Sequence, residues 1–405
     1  MSVLFFSPGF PGEMPFFTAA LTEVGASVIG LGDQPVTALP QRARRALSGY
    51  IQAPSIWDED QVVDLVRRET GRYGISQVEC LWEPGMILAA KLRQALGLPG
   101  LTVAETVPFR DKAVMKDVLA GAGIRTPHAY RASTAAECRE AAEQIGYPLI
   151  VKPVAGAGSA DTHRLDGPAE LEAVLPRIRH VPEVSVEEFI DGQEYTFDTI
   201  CHAGEIAYFN VAWYRPRPLI ARTLEWVSPQ TVTLRNLDAP HLQPGIEMGL
   251  EVLKALGYKT GFTHMEWFLK EDGEAVFGEI GARPPGARSV ELMNYGCDID
   301  VFRGWAEAVC HHRFSQPVRR LYNAAVVFKR AQGEGRIQRI EGLESLLSRF
   351  RRQIVSIELL PPGARRRNWK QTLLSDGWLI VRHADLETTM WIADAVGTDL
   401  QLSAG

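Results

Sequence analysis

The 405-residue chain has few cysteines, no surplus of positive charge and no long apolar run. Its net charge of -6 lacks the basic footprint of a nucleic-acid-binding protein. No apolar stretch reaches the roughly 20 residues of a membrane span, and the first residues lack the positive region of a signal peptide. We therefore predict a cytoplasmic protein of two or three domains, with neither nucleic acid nor membrane as a partner.

The cysteines exclude two further classes of protein. There are five, an odd number, and none forms a Cys-x-x-Cys pair. This spacing indicates neither a disulfide framework nor a structural zinc site. Reduced, mostly buried thiols are expected at Cys80, Cys138, Cys201, Cys297 and Cys310.

The first hundred residues alternate short apolar runs with helical patterns. Strands are predicted at 3–6, 27–31 and 77–82, and helices near 16–24, 58–72 and 85–96. Such alternation is typical of a parallel sheet with crossover helices. The turn SPGFPGE after the first strand has no Gly-x-Gly-x-x-Gly, so it gives little support for a dinucleotide site. Ligands favour the carboxyl ends of such strands, so this layer is a scaffold with a substrate-facing rim.

The segment His264–Gly286 predicts a hairpin with two acidic residues face to face. Its centre, Asp272-Gly273, is a strong two-residue turn signal, and counting outward pairs Lys270 with Ala275, Phe268 with Phe277 and Glu266 with Glu279. Opposed like charges are destabilising unless a cation neutralises them. Paired carboxylates suit Mg²⁺ in phosphate-transferring sites. A solvated surface hairpin is the alternative, although apolar residues on both faces favour a covered strand pair.

Two lysines and a loop of small residues predict phosphate contacts. Asp111 is placed to cap a helix over 112–122, which puts Lys112 in its first turn. The strand at 148–153 carries Lys152, and the glycines of the following loop allow close backbone approach to an anion. Taken singly, an exposed lysine and an ordinary hairpin loop explain these features equally well.

The order of these motifs resembles the ATP-grasp superfamily over most of the chain. The sequence has Arg-Asp-Lys at a helix start, Pro-Leu-Ile-Val-Lys-Pro, a small-residue loop, Glu-Glu-Phe-Ile-Asp-Gly-Gln-Glu and two glutamates ending in Glu-Ile-Gly-Ala-Arg-Pro-Pro-Gly. The resemblance implies an α/β and α+β architecture. An N-terminal Rossmann-like pre-ATP-grasp domain (1–105) precedes a central ATP-grasp domain (106–318), with a mobile lid subdomain at about 125–190, and a small C-terminal α+β domain (319–405).

The resemblance also implies roles for individual residues. The phosphate-binding set is Lys112, Lys152 and the closing loop Gly156, Ala157, Gly158 and Ser159. The adenine-contacting strand holds Glu187, Glu188 and Ile190, the last through its backbone, and Glu194 matches the ribose-binding acid. The Mg²⁺-binding acids are Glu266 and Glu279. Arg283 and Arg288 match arginines that hold a substrate carboxylate or acyl phosphate, and His264 is either a substrate contact or a structural group.

The motifs around the hairpin look most like the carboxylate-amine ligase branch, including dipeptide-forming L-amino-acid ligases. This implies ATP and one or two Mg²⁺ ions, with Mn²⁺ as a substitute, an acid and an amine as substrates, and a homodimer as the usual assembly. Gly281 departs from the Asn of many members, which puts the second ion in doubt. Alternatives are a purine-pathway ligation, a biotin-dependent carboxylation, or a non-catalytic ATP-binding regulator. The role of the Trp- and Arg-rich segment 205–245 stays open.

Overall fold

The computed structural model describes residues 1–154, 162–372 and 374–405. The N-terminal part contains a parallel four-stranded sheet in the order β3-β2-β1-β4. Its strands are β1 (Ser2–Phe6), β2 (Ser27–Gly32), β3 (Leu47–Gln52) and β4 (Gln77–Glu79). The sequence pattern predicted β1, β2 and β4. It did not predict β3, because the half-exposed residues of this strand give a weak apolar signal.

A second sheet of four antiparallel strands follows in the chain, in the order β5-β8-β6-β7. These strands are β5 (Ala129–Ala132), β6 (Leu149–Pro153), β7 (His163–Leu165) and β8 (Val184–Glu188). The sheet carries Lys152 on β6 and Glu187 on β8, and its cluster of buried residues is separate from the main core.

The largest sheet has eight antiparallel strands in the order β13-β12-β9-β10-β11-β14-β17-β16. Its members are β9 (Gln193–His202), β10 (Glu205–Arg215), β11 (Gln230–Thr233), β12 (Gly261–Leu269), β13 (Ala275–Gly281), β14 (Asn323–Phe328), β16 (Ile354–Leu359) and β17 (Gly377–His383). A small pair joins β15 (Ile337–Glu341) to β18 (Gln401–Ala404). Because β11 pairs with β14, the C-terminal strands extend the sheet that carries the hairpin. The three-domain division remains a prediction.

The described helices cover these sheets. They are α1 (Met14–Glu23), α2 (Gln41–Ala46), α3 (Glu59–Tyr73), α4 (Met86–Leu96), α5 (Val103–Thr106), α6 (Lys112–Gly121), α7 (Ala135–Ile145), α8 (Pro168–Val174), α9 (Pro218–Ala221), α10 (Gln243–Ala255), α11 (Ser289–Cys297), α12 (Val301–His311), α13 (Leu343–Phe350) and α14 (Leu386–Asp399). None of these helices is both long enough and apolar enough to cross a membrane. All five cysteines are buried, as predicted.

The hairpin of β12 and β13 contains two deviations from the predicted register that cancel. The turn has three residues instead of two: Gly273 N–H donates to the Lys270 carbonyl, and Lys270 N–H donates to the Glu274 carbonyl, both at 3.0 Å. Gly273 has φ +87°, the left-handed conformation that closes a three-residue loop. Phe268 therefore faces Val276, and the predicted Phe268–Phe277 and Lys270–Ala275 pairs are wrong.

A β-bulge then restores the predicted acidic pair. The extra residue is Gly278, where an added Cβ would lie 2.8 Å from the Glu266 carbonyl oxygen, so a larger residue would press on the neighbouring strand. Beyond the bulge the register shifts by one residue, and Glu266 faces Glu279. The predicted pairing of Glu266 with Glu279 is confirmed. The two-residue turn from which it was counted is wrong.

One buried lysine in this fold leads to a stability prediction. Lys329 is 3% exposed, and its Nζ donates to Ser228 Oγ at 2.9 Å and to the Gly397 carbonyl at 2.5 Å. No described carboxylate lies within ion-pair distance of it. Burial lowers its pKa to about 8 from the usual 10.5. The folded protein therefore releases this proton before the unfolded chain does, and stability from this group rises with pH between about 8 and 10.5.

We expect this rise to be lost in Lys329→Met. Urea unfolding of wild type and variant across pH 7 to 11 measures it, with Lys254→Met on the exposed face of α10 as the control. A wild-type-minus-variant difference that stays flat with pH would contradict the prediction.

Candidate active site

A cavity of about 690 Å³ lies between the N-terminal parallel sheet, the antiparallel sheet of β5 to β8 and the hairpin of β12 and β13. The carboxyl ends of β1 and β4 contribute one wall, through Phe10–Met14 and Leu81–Pro84. Lys152, Glu187 and Glu194 come from the β6–β9 region, and Glu266 and Glu279 from the hairpin. The cavity thus lies at the strand ends where the sequence predicted a substrate-facing rim.

The hairpin acids line this cavity side by side. The Glu279 carboxylate accepts an ion pair from Lys112 Nζ at 2.9 Å. Glu266 accepts a hydrogen bond from the Tyr214 hydroxyl at 3.2 Å and lies 3.5 Å from His264 Nε2. Burial alone would raise the pKa of Glu266, but His264, Tyr214 and Arg283 together lower it to about 2. Each of these carboxylates therefore has a positive or hydrogen-bonding partner.

Lys112 reaches the cavity because α6 begins at the cavity wall. As predicted, Asp111 caps the helix by accepting from the backbone N–H groups of Ala113 and Val114. The next turn of the same face carries Lys116, which the sequence analysis did not single out. Its spacing of four residues from Lys112 was the available signal, since residues i and i+4 share a helix face.

Two lysines contact one buried glutamate. Glu187, 4% exposed, lies 2.8 Å from Lys116 Nζ and 2.8 Å from Lys152 Nζ. Burial alone would raise its pKa, but these two lysines lower it to about 2. The pKa of Lys116 is lowered by burial and by the charges of Lys152 and Lys112, a pull that Glu187 offsets only in part. Glu187 was expected on an adenine-contacting strand; its side chain binds Lys152, which was predicted to contact phosphates, and Lys116, which was not.

The other residues of the predicted nucleotide strand are placed differently from one another. Glu188 accepts from Arg125 Nη2 at 2.7 Å and from His128 N–H at 3.2 Å. Ile190 is buried and lines the cavity, although β8 ends two residues earlier, at Glu188. Glu194 is 6% exposed, and its pKa is raised by burial and by the charge of Glu266.

His264 lies between two carboxylates beneath the hairpin. Its Nδ1 lies 2.6 Å from Asp198 Oδ1, and its Nε2 points to Glu266. Asp198 is 1% exposed and also accepts from Thr196 and Asn210. Burial alone would lower the pKa of His264, but the two acids raise it to about 9. The ring therefore links Glu266 to Asp198 as a cation. It also lines the cavity, so a substrate contact and a structural role both stay predictions.

Arg283 lines the cavity and is held by an acid from the N-terminal part. Its Nε donates to Glu83 Oε2 at 2.7 Å, and the same carboxylate binds Arg110. Glu83 sits on a short 3-10 turn, Glu83–Gly85, after β4. A Cβ at Gly281 would lie 3.3 Å from Arg283 Cγ, so glycine leaves room for the arginine to fold across it. No sequence signal links residues two hundred positions apart, and Glu83 was missed.

Arg288 does not line the cavity. Its Nη1 donates to Glu291 at 2.8 Å, and its guanidinium lies over the Trp378 ring at 4.5 Å. It has φ +63° and is the N-cap residue of α11, between Ala287 and Ser289, which do line the cavity. The predicted substrate contact is not supported by this geometry, and we leave Arg288 out of the site. The predicted loop residues Gly156, Ala157, Gly158 and Ser159 lie outside the described residues.

The described residues fit a magnesium ion in one specific way. No group of three or more His, Cys, Asp or Glu side chains arranged for a metal occurs in the described part of the chain. Glu266 and Glu279 alone supply two carboxylates, which is the usual protein contribution where nucleotide phosphates complete the octahedron. The Lys112 ammonium on Glu279 stands where a metal cation would compensate the same charge. The donor set therefore suits Mg²⁺ bound together with a phosphate ligand.

Comparisons with known proteins agree with this fold. Residues 109–213 match a family model described as ATP-grasp domain. The crystal structure of L-amino acid ligase from Bacillus licheniformis superposes with a TM-score of 0.80 and 22% identity, covering 99% of this chain and 98% of that one. N5-carboxyaminoimidazole ribonucleotide synthetase from Thermotoga maritima has a TM-score of 0.74 and 19% identity, covering 100% and 99%.

Curated sequences give the same picture. The L-arginine-specific L-amino acid ligase of Bacillus subtilis is 25% identical over 237 residues, 55% of this chain and 56% of that protein. The chain thus spans little more than half the length of the curated relatives that it matches. Together these findings show that the chain contains an ATP-grasp domain and has the ATP-grasp fold, as the order of its motifs predicted. Among the proteins that it resembles are the L-amino acid ligases.

Proposed function

We propose that this protein is an ATP-dependent carboxylate-amine ligase that joins a carboxylic acid, in the first instance an amino acid, to an amine. ATP converts the acid to an acyl phosphate, the amine attacks that intermediate, and ADP and phosphate are released. The observation that carries the proposal is the convergence of Lys112, Lys152, Glu266, Glu279 and Arg283 in one cavity. The names of its relatives, including an L-arginine-specific L-amino acid ligase and alanine–anticapsin ligase, support the reaction class.

The first step needs positive charge around a triphosphate. A carboxylate oxygen of the acid attacks the γ-phosphorus, the bond to the β-phosphate oxygen breaks, and ADP leaves. Lys112 and Lys152 both line the cavity and are the residues we assign to the phosphates. Such fixed cations stabilise charge in the transition state without reorganising. A magnesium ion held by Glu266 and Glu279 would supply further charge neutralisation to the phosphates.

The second step forms the amide bond. The amine nitrogen attacks the acyl carbon, a tetrahedral oxyanion forms, and its collapse expels inorganic phosphate. Arg283 is the residue we assign to this centre because its charge is felt by both Glu266 and Glu279 and its planar guanidinium suits a carboxylate or acyl phosphate. Glu83 acts as its positioning residue, since it fixes Nε at 2.7 Å.

A matrix of acids and amines tests the proposal. Each pair is incubated with ATP and Mg²⁺, ADP formation is measured, and products are identified by mass spectrometry. We expect ADP formation that requires both an acid and an amine, and a product whose mass equals their sum minus water. ADP formation that never depends on an amine would refute ligation.

A purine-pathway ligase is the second candidate. It is supported by the full-length similarity to N5-carboxyaminoimidazole ribonucleotide synthetase and by a 24% identical formate-dependent phosphoribosylglycinamide formyltransferase from Wolinella succinogenes. Bicarbonate, formate and ribonucleotide acceptors therefore belong in the same matrix. Turnover confined to those arms would favour this candidate, and nucleotide binding without turnover in any arm would favour a regulatory protein.

A further inference from the structure

The same cavity contains a second group of residues away from the hairpin: two arginines, Arg222 and Arg330, and the neighbouring Trp369. We call this group the Arg222 subsite. All three residues line the cavity. Arg222 follows α9, Arg330 follows β14, and Trp369 lies in the loop between β16 and β17. The reaction proposed above uses none of them.

Arg222 is a cation without a fixed partner. Its side chain makes no hydrogen bond or ion pair with any residue of 1–154, 162–372 or 374–405, and it is only half-buried. Burial lowers its pKa, while the charge of Glu266 acts in the opposite direction. Glu266 is already bound by Tyr214 and His264, so it does not provide a dedicated partner.

Arg330 is a buried cation that is only partly compensated. It is 8% exposed, and its Nη1 donates to the carbonyls of Ala221 at 2.9 Å and Leu224 at 2.8 Å. Its guanidinium lies over the Trp369 ring at 4.6 Å. Its Nε is buried with no hydrogen-bond partner among the described residues. Burial, followed by the nearby charge of Arg222, lowers the pKa of Arg330 to about 10.

The acids near these two arginines are engaged elsewhere. Arg366 forms ion pairs with Glu225, with Asp376 at 3.7 Å and with the exposed Glu334 at 3.6 Å. The Arg366 side chain is only 6% exposed. Arg222 and Arg330 therefore have no carboxylate within ion-pair distance in the described part of the chain. Binding of an anion would stabilise a buried guanidinium that has no carboxylate partner.

The positions of the charges indicate which part of a ligand this anion belongs to. Arg283 lies next to the hairpin acids and is perturbed by both. Arg330 follows β14, which lies four strands from β12 in the large sheet, and its Nη1 donates to the carbonyl of Ala221, the residue before Arg222. The two arginines therefore lie close together, and Arg330 lies farther along the sheet from the hairpin acids. We propose that the Arg222 subsite binds an anionic substituent of a substrate, a carboxylate or a phosphate, at a distance from the carboxylate that reacts.

This inference rests on the proposed function, because it gives a substrate class to the same cavity. It assigns acidic substrates, such as amino acids with a negatively charged side chain, over neutral ones of the same shape. Arg222 and Arg330 are specificity-determining residues in this assignment. A planar guanidinium can accommodate either a carboxylate or a phosphate through two parallel hydrogen bonds.

Matched pairs of amino acids test the assignment: glutamate with glutamine, aspartate with asparagine, and phosphoserine with serine. Dissociation constants are measured by calorimetry on the full chain with Mg²⁺ and a non-hydrolysable ATP analogue. We expect the charged member of at least one pair to bind about tenfold or more tightly, a difference typical of a charge-assisted hydrogen bond. The carboxylate and phosphate arms separate the two sources of the anion.

Two variants connect the preference to the subsite. Arg222→Gln removes a charge that makes no internal bond, and it is expected to reduce the charged-over-neutral ratio about tenfold. Arg330→Lys keeps the charge but loses the planar donors, and it is expected to reduce the ratio as well. Arg339→Gln makes the same charge change on the surface, where the arginine side chain is 73% exposed, and should leave the ratio unchanged.

The outcomes separate this inference from the ligase proposal. Absence of a charged preference in every pair, or a preference that survives both cavity variants, overturns the subsite. A preference that Arg222→Gln removes, in a protein that forms no ADP in the acid and amine matrix, supports the subsite and refutes ligation. ADP formation with neutral acids, without tighter binding of the charged amino acids, supports ligation and refutes the subsite.

Discussion

Replacing Glu279 by glutamine is expected to lower the rate of ADP formation about a thousandfold or more, with the fold intact. The substitution keeps the shape of the side chain and removes the negative charge opposite Glu266. Loss of a metal-holding carboxylate costs several kcal/mol of transition-state stabilisation, and about 1.4 kcal/mol corresponds to a factor of ten in rate. The fold should survive because this side chain is 38% exposed and, among the described residues, forms its ion pair with Lys112 alone. Steady-state kinetics and circular dichroism measure the two effects.

Glu271→Gln is the matched control for this prediction. It makes the same chemical change in the same hairpin, in the exposed three-residue turn outside the cavity. It should retain wild-type kinetics. A Glu279→Gln enzyme that forms ADP at the rate of this control would remove the metal role that we assign to the hairpin.

The hairpin also shows what a sequence pattern can predict. The apolar residues on both sides of the Asp-Gly centre predicted two strands and the facing acids correctly. Counting from a two-residue turn gave the wrong pairs next to the turn, because turn length depends on backbone conformation at Gly273. The bulge at Gly278 then moved the register back. The acidic pair was therefore predicted correctly because the longer turn and the bulge shift the register by one residue in opposite directions. The sequence pattern indicated neither of them.

Local helical signals were more reliable than long-range contacts. The helices predicted near 58–72 and 85–96 agree within one residue with α3 and α4, and the Asp111 cap is also found, because each depends on residues within a few positions of one another. The Glu83–Arg283 pair joins the end of the parallel sheet to the hairpin, so only the tertiary fold brings it together. The same reason explains why the motif could not show that Arg288 turns toward Trp378.

The cations assigned to the reaction are each paired with a carboxylate. Lys112 is paired with Glu279, Lys152 with Glu187, and Arg283 with Glu83. Each pair keeps a charged side chain in place at the cavity wall without leaving it uncompensated. A phosphate bound at Lys112, as we propose, would compete with Glu279 for the same ammonium group and would leave that carboxylate more available to Mg²⁺.

The Glu187→Gln substitution is expected to lower the free energy of unfolding by about 3–5 kcal/mol, because it leaves two buried lysines without their acid. The effect should depend on pH. The folded-state pKa of Glu187 is about 2, below the ordinary value of 4.5, so its stabilisation is present above pH 4.5. It is lost as the pH falls from 4.5 toward 2. Urea unfolding of wild type and variant between pH 2.5 and 7 measures this difference.

Glu172→Gln provides the control, since it breaks the exposed pair with Arg139 in the same part of the chain and should change stability little. A second measurement connects this prediction to nucleotide binding. Phosphates that meet Lys116 and Lys152 would supply the charge that the variant lacks, so saturating ATP should raise the melting temperature of Glu187→Gln more than that of wild type. An equal rise in both proteins would mean that these lysines act on the fold alone, and that the phosphates lie elsewhere.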